Sequence, residues 1–154
     1  MERFDSEPLP LSPAVLDGEF SAADLVFYEV DHSGESFEAL VFLNPSGVGP
    51  STPLKLESGF AGSFVVFGHG GCIGDEGHCD VPTFHKDPFD SRPLHPLTPQ
   101  TKMVDIGEAL QEARKQGDHL TVSVLATVPG AEGADGPDTA DALFFSAMRL
   151  LAYD

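Results

Sequence analysis

Hydrophobic and polar residues alternate with a period of two in several segments, the pattern of β-strands that are buried on one face. In residues 36–44 (SFEALVFLN) the apolar positions of one face are Phe37, Ala39, Val41 and Leu43. Residues 24–33 (DLVFYEVDHS) are rich in the aromatic and β-branched types that favour strands. Because the dipeptide Ser33-Gly34 between them indicates a turn, the two segments are predicted to form a β-hairpin.

Three more segments indicate strands. Residues 62–68 (GSFVVFG) are an apolar run bounded by glycine, and residues 119–128 (HLTVSVLATV) alternate between two faces. The last apolar run, residues 143–153 (LFFSAMRLLAY), is interpreted as a strand because the rest of the chain has β character.

One helix is predicted between Asp105 and Gly117. Asp105 is a candidate N-cap, and Glu108 stands three residues later, as in a capping box. Gly117 is a suitable stop signal. The apolar residues of this segment fall on one face at helical spacing; they are Ile106, Ala109, Leu110 and Ala113.

Together these elements predict a mainly β fold, an antiparallel β-sandwich that is jelly-roll-like or barrel-like and carries one short inserted helix. Strands and helices do not alternate as in a parallel sheet. A length of 154 residues suits a single domain spanning residues 1–154. Within it, residues 1–21 are expected to be an irregular N-terminal segment, and residues 68–99 a long loop rich in glycine, histidine, cysteine and proline.

The charge balance excludes some partners. The chain has 25 acidic and 8 basic residues, a formal net charge of −17, and the basic residues are scattered. Without a basic stripe, neither nucleic acid nor an anionic membrane surface is an expected partner. The N-terminus lacks the pattern of a secretory signal, and no apolar run is long enough to span a bilayer. If Met1 is the natural start, a cytoplasmic location is expected.

The candidate chemistry is concentrated after the glycine-bounded strand, in the stretch GHGGCIGDEGHCD. It holds His69, Cys72, His78 and Cys79 among five glycines. Three hypotheses about the role of the two cysteines remain open. The cysteines can form a Cys72–Cys79 disulfide, which needs an oxidising compartment. They can bind copper or zinc together with His69 and His78. One of them can be a reactive thiolate that a nearby histidine activates.

Several common sites are not indicated by the sequence. It has no nucleophile elbow, no dinucleotide-binding glycine pattern, no P-loop and no EF-hand calcium loop. The hypothesis of a zinc site is weakened because the chain lacks a CxxC pair. No pair of histidines has the helical spacing HxxxH.

Three segments resemble a known family at the motif level. They are DLVFYEVDHSGESFEALVFLN, STPLKLESGFAGSFVVFGHGGCIGDEGHCDVP and DPFDSRPLHPLTPQTKMVDIGEAL. They are similar to the C-terminal β-sandwich domain that follows the dicopper domain in bacterial tyrosinase-like proteins and mollusc-type haemocyanins.

The resemblance implies a module without catalytic activity of its own. In that family six histidines on a four-helix bundle hold two coppers in the other domain, and none of these ligands has a counterpart in this chain. The tail domain packs over the copper site and limits access to it. A dicopper oxidase catalytic domain is therefore the partner that the resemblance implies, with Phe84 and Phe89 as candidate contacts in the loop 68–99. The alternative is a small metal-handling protein that uses the Cys/His loop.

Overall fold

Antiparallel strand pairing dominates the computed structural model, which describes residues 1–70, 84, 87–89, 91, 97–129 and 142–154. In chain order the strands are β1 (Glu2–Asp5), β2 (Leu9–Pro10), β3 (Ala22–Val30), β4 (Phe37–Leu43), β5 (Phe60–Val66), β6 (Gln100–Asp105), β7 (His119–Leu120), β8 (Val122–Thr127) and β9 (Ala147–Tyr153). The helices are α1 (Pro13–Asp17) and α2 (Gly107–Ala113), and single 3-10 turns lie at Leu56–Ser58 and Arg114–Gln116.

Two larger sheets and a small one hold these strands. The four-stranded sheet has the order β1-β8-β4-β5, and the three-stranded sheet has the order β6-β3-β9. Strands β2 and β7 pair separately. The predicted mainly β fold with antiparallel sheets is confirmed.

The hydrophobic core lies between the two larger sheets. Leu25 and Phe27 of β3 pack in one buried cluster with Val41 of β4, Val66 of β5 and Val124 of β8. The alternation read from the sequence selects the correct inner faces of β4 and β8, because alternate residues of both strands belong to this cluster, whereas Phe42 and Leu125 on the other face form a separate buried cluster. Burying this apolar surface is the main term that favours folding.

The predicted hairpin between β3 and β4 is wrong, because the two strands belong to different sheets. Strand β3 pairs with β6 and β9, and β4 pairs with β5 and β8. A bulge near the end of β3 shifts its register between Phe27 and Val30, and Glu29 within it has a left-handed φ of 54°. A bulge bends its strand, and residues 31–36 then connect one sheet to the other.

The N-terminal segment, expected to be irregular, contains β1, β2 and α1. Helix α1 has two of the usual end signals: the Ser12 side chain accepts a hydrogen bond from the Val15 N–H, and Gly18 ends the helix at a φ of 78°. The inserted helix α2 is confirmed. The predicted N-cap is wrong by one residue: Ile106 holds that position, and the Asp105 carboxylate accepts from the first helical N–H, that of Gly107, over 2.9 Å.

A search for membrane-spanning helices among the described residues found none of the required length and hydrophobicity.

Candidate functional site

The loop that the sequence singled out begins where β5 ends, and its first residues pack on the connection between β3 and β4. The His69 N–H donates to the His32 carbonyl oxygen over 3.0 Å, and the Gly70 N–H donates to the Gly34 carbonyl oxygen over 2.6 Å. We call residues 32–36 and 68–70 the anchor, because these bonds fix the start of the segment 68–99 to the β-sandwich.

Glycine is required in the anchor because the two backbones approach closely. A Cβ on Gly68 would overlap the Gly34 carbonyl oxygen and lie 2.5 Å from the Glu35 carbonyl carbon. A Cβ on Gly70 would lie 2.7 Å from the Gly34 carbonyl carbon. The obstacles are backbone atoms, so a side chain at either position displaces one strand connection from the other.

We expect Gly68→Ala to open the anchor and lower the free energy of unfolding by about 1–3 kcal/mol, the range for an added methylene in a packed site. Urea unfolding followed by circular dichroism measures this loss. Gly34→Ala is the matched control, since a Cβ there has no atom within 4 Å. Equal free energies of unfolding for Gly68→Ala and Gly34→Ala would contradict the tight packing at Gly68.

Two histidines meet in the anchor. The ring centres of His32 and His69 lie 5.2 Å apart with their planes at 74°. His32 is buried, at 9% exposure, whereas His69 is exposed. The pair connects the end of β3 with the end of β5, 37 residues apart in the sequence.

Backbone carbonyls orient both rings. His32 Nε2 lies 2.8 Å from the Thr98 carbonyl oxygen, and His69 Nδ1 lies 3.4 Å from the His32 carbonyl oxygen. A carbonyl oxygen only accepts hydrogen bonds, so in these contacts the ring nitrogens carry the proton. In the neutral tautomers that these contacts select, the other two nitrogens, His32 Nδ1 and His69 Nε2, hold the lone pairs. His32 Nδ1 is buried and has no hydrogen-bond partner among the residues that the structure describes.

The neighbouring carboxylate of Asp31 is hydrogen-bonded within the turn formed by residues 31–33. It accepts hydrogen bonds from the Ser33 backbone N–H over 2.9 Å and from the Ser33 hydroxyl over 2.8 Å. These bonds, the backbone one first, lower the pKa of Asp31 below its ordinary value. The carboxylate is therefore charged at neutral pH and holds the turn that carries His32 and Gly34.

The sequence reasoning named His69 but not its partner His32, which it treated as one of several scattered histidines. No local motif joins residues so far apart, and the pair forms only because two sheets meet at the anchor. Cys72, His78 and Cys79 lie outside the described residues, so the disulfide and the metal site that includes them stay predictions. Within the described part of the chain, no group of three or more histidine, cysteine, aspartate or glutamate side chains is placed to hold a metal ion.

The two candidate contact residues are exposed, as a role in docking requires: Phe84 at 62% and Phe89 at 92%. The Phe89 N–H donates to the Asp87 carboxylate over 2.8 Å, which shapes a turn that presents the ring. Phe67 was missed as a candidate; it directly precedes the loop and is 77% exposed. The alternation in GSFVVFG contained this signal, because Phe64 and Val66 point to the core and Phe67 therefore points outward.

Comparisons with known proteins give a structural likeness only. The sequence matches no protein-family model and no curated protein. Among solved structures, latent aurone synthase (polyphenol oxidase) from a natural source is similar with a TM-score of 0.51 at 15% identity. Its recombinantly expressed form also gives 0.51, and that form co-crystallised with hexatungstotellurate(VI) and soaked in H2O2 gives 0.52, both at 15% identity.

In each of these three cases the likeness covers 99% of this chain but only 24% of the other. At 15% identity it establishes a shared fold. The chain has the fold of a region that makes up about a quarter of these polyphenol oxidase chains.

Proposed function

We propose that this chain is a non-catalytic β-sandwich module that covers and regulates a dicopper phenol oxidase of the tyrosinase and polyphenol oxidase type. The observation that supports it most is the extent of the structural likeness, nearly all of this chain against about a quarter of each polyphenol oxidase. Those relatives are described as latent, which is the state that a covering module would maintain.

The described residues do not fit the dicopper site itself. Helices α1 and α2 are five and seven residues long and carry no histidine. The described histidines lie on strands or their connections; they are His32, His69 and His119. We therefore derive no catalytic step from this chain, and the oxidation of phenols is assigned to the partner domain.

Exposed aromatic rings supply the chemistry of docking. A phenylalanine ring has the size and shape of a phenol but lacks the hydroxyl group that such an enzyme oxidises. Phe89, which is almost fully exposed, is the side chain best suited to enter the opening of a phenol-binding site. Complete burial of one such side chain favours association by about 1.5–3 kcal/mol.

The net charge of −17 predicts that the partner surface is positively charged. A docking face that is basic around its apolar centre would attract this module, and salt would slow the association. Binding that weakens as the salt concentration rises is thus part of the proposal.

The test uses the full chain and a polyphenol oxidase catalytic domain from which its own tail has been removed. Oxidation of a small diphenol is measured with increasing amounts of the chain, and binding is measured in parallel by calorimetry. We expect stoichiometric binding and a lower kcat/KM. Phe89→Ala combined with Phe84→Ala should weaken both effects by about tenfold or more, as expected for losing an apolar anchor.

Phe144→Ala is the matched control, because Phe144 is also exposed, at 59%, but lies outside the loop 68–99. It should bind and inhibit as the unmodified chain does. Absence of binding to catalytic domains from several branches of the family would overturn the proposal. Equal effects of Phe144→Ala and the double variant would overturn the role of Phe84 and Phe89.

A further inference from the structure

We propose that His32 and His69 form a binding site for a borderline transition-metal ion of the Zn²⁺ class, through His32 Nδ1 and His69 Nε2. The proposal rests on the geometry of the anchor and is independent of the proposed regulatory function. It differs from the site predicted in the sequence, because it adds His32 and needs neither Cys72 nor Cys79.

The first argument is the orientation of the two rings. Metal-binding histidines usually donate their second ring N–H to a carbonyl or carboxylate, which fixes the tautomer and the direction of the ring. Both rings have this arrangement here, with the Thr98 carbonyl oxygen near His32 Nε2 and the His32 carbonyl oxygen near His69 Nδ1. Each imidazole is therefore prepared to offer the opposite nitrogen as a ligand.

The second argument is the unpartnered nitrogen. His32 Nδ1 is buried within a side chain that is more than nine-tenths buried, and no group in the described structure bonds to it. A buried polar atom without a partner costs stability, and such atoms in native proteins call for an explanation. A ligand that accepts the lone pair of Nδ1 would satisfy it.

The third argument is the distance between the rings. Two imidazoles that bind one ion at about 2.0–2.1 Å and near a tetrahedral angle have ring centres on the order of 5 Å apart. The observed separation is 5.2 Å. His69 is exposed, so an ion can reach its ring from solvent.

The choice of ion follows from the donor atoms. Imidazole nitrogens suit zinc, copper and nickel, whereas calcium and magnesium require oxygen ligands. The carboxylate of Asp31, which precedes His32 in the sequence, is already hydrogen-bonded to Ser33. The net charge of −17 raises the concentration of any divalent cation near the surface.

The binding test titrates the purified, metal-free full chain with Zn²⁺ by calorimetry and with Co²⁺ by visible absorption. We expect one ion per chain at the site. His69→Ala should weaken it by at least about 10–100-fold, the cost of losing even an outer partner of a metal ligand. His69 is exposed, so this variant is expected to fold, and circular dichroism checks this.

Two control variants make the outcome decisive. His119→Ala removes an exposed histidine of β7 whose ring contacts the carboxylate of the adjacent Asp118, and it should leave the binding unchanged. Cys72→Ser combined with Cys79→Ser should retain a site that His69→Ala weakens. Binding that is insensitive to His69→Ala, or equally sensitive to His119→Ala, would overturn the proposal.

A metal-free measurement tests the prepared orientation separately. Nitrogen-15 spectra of the imidazoles should show His32 protonated on Nε2 and bare on Nδ1. Addition of Zn²⁺ should shift the Nδ1 resonance of His32 and the Nε2 resonance of His69, and not the ring of His119. A His32 ring protonated on Nδ1 in the free chain would contradict the assignment.

Discussion

Replacing Phe27 by alanine is expected to lower the free energy of unfolding by about 3–5 kcal/mol, the usual cost of removing a buried phenylalanine ring. The Phe27 ring is fully buried between the sheets. Its centre lies 5.0 Å from that of Phe64 and 5.1 Å from that of Phe145, and Phe145 in turn lies 4.8 Å from Phe4. These contacts join β1, β3, β5 and the segment before β9, so one truncation loosens both sheets.

Chemical denaturation followed by circular dichroism measures the effect. Native domains are stable by only about 5–15 kcal/mol, so the variant loses a large part of its stability. Phe144→Ala is the matched control, since that neighbouring ring is exposed, and it should change the stability by less than about 0.5 kcal/mol. A loss at Phe27 as small as that at Phe144 would show that the two sheets do not share this core.

Asn44→Ala is expected to cost about 2–3 kcal/mol, because a half-buried side chain with several partners is removed. Asn44 Oδ1 accepts hydrogen bonds from the Thr121 backbone N–H over 2.7 Å and from the Thr121 hydroxyl over 3.3 Å. Its Nδ2 donates to the Ala113 carbonyl oxygen over 3.4 Å. The side chain thus connects the end of β4 to the start of β8 and to the end of α2.

The backbone of Asn44 adds a second contribution, since its φ of 44° is left-handed and asparagine tolerates this conformation better than alanine. Asn44→Gly separates the two terms, because glycine loses the side-chain bonds but not the backbone freedom. The alanine variant should therefore be less stable than the glycine variant by about 1 kcal/mol. Equal unfolding midpoints of the two variants would rule out the backbone contribution.

The fold class was predictable because inward-facing residues alternate along β4 and β8, and alternation is a local property. The pairing of β3 was not predictable in the same way. Its flanking Ser33-Gly34 is a common hairpin signal, but the bulge at Glu29 redirects the chain to a second sheet. The N-terminal strands were missed because β1 and β2 are short and half exposed, so their hydrophobic pattern is weak.

The candidate site was predictable in part. The run of glycines around His69 indicates close backbone packing, and the anchor shows such packing at Gly68 and Gly70. His32 was not predictable, because it is brought to His69 by the meeting of two sheets. The outward position of Phe67 follows from the strand period, but exposure alone does not identify a contact residue.

The long-range pairing of the strands has a consequence for synthesis on the ribosome. Every strand in the first thirty residues, β1 to β3, pairs with strands that follow residue 99. Among the strand pairs of the described residues, β4–β5 is the one that can form while the middle of the chain emerges. Since loops must close before such contacts form, folding on the order of milliseconds to seconds is expected. The apolar faces of β1 and β3 stay exposed until the last third of the chain is made. A prematurely terminated chain is therefore expected to aggregate through these unpaired strands.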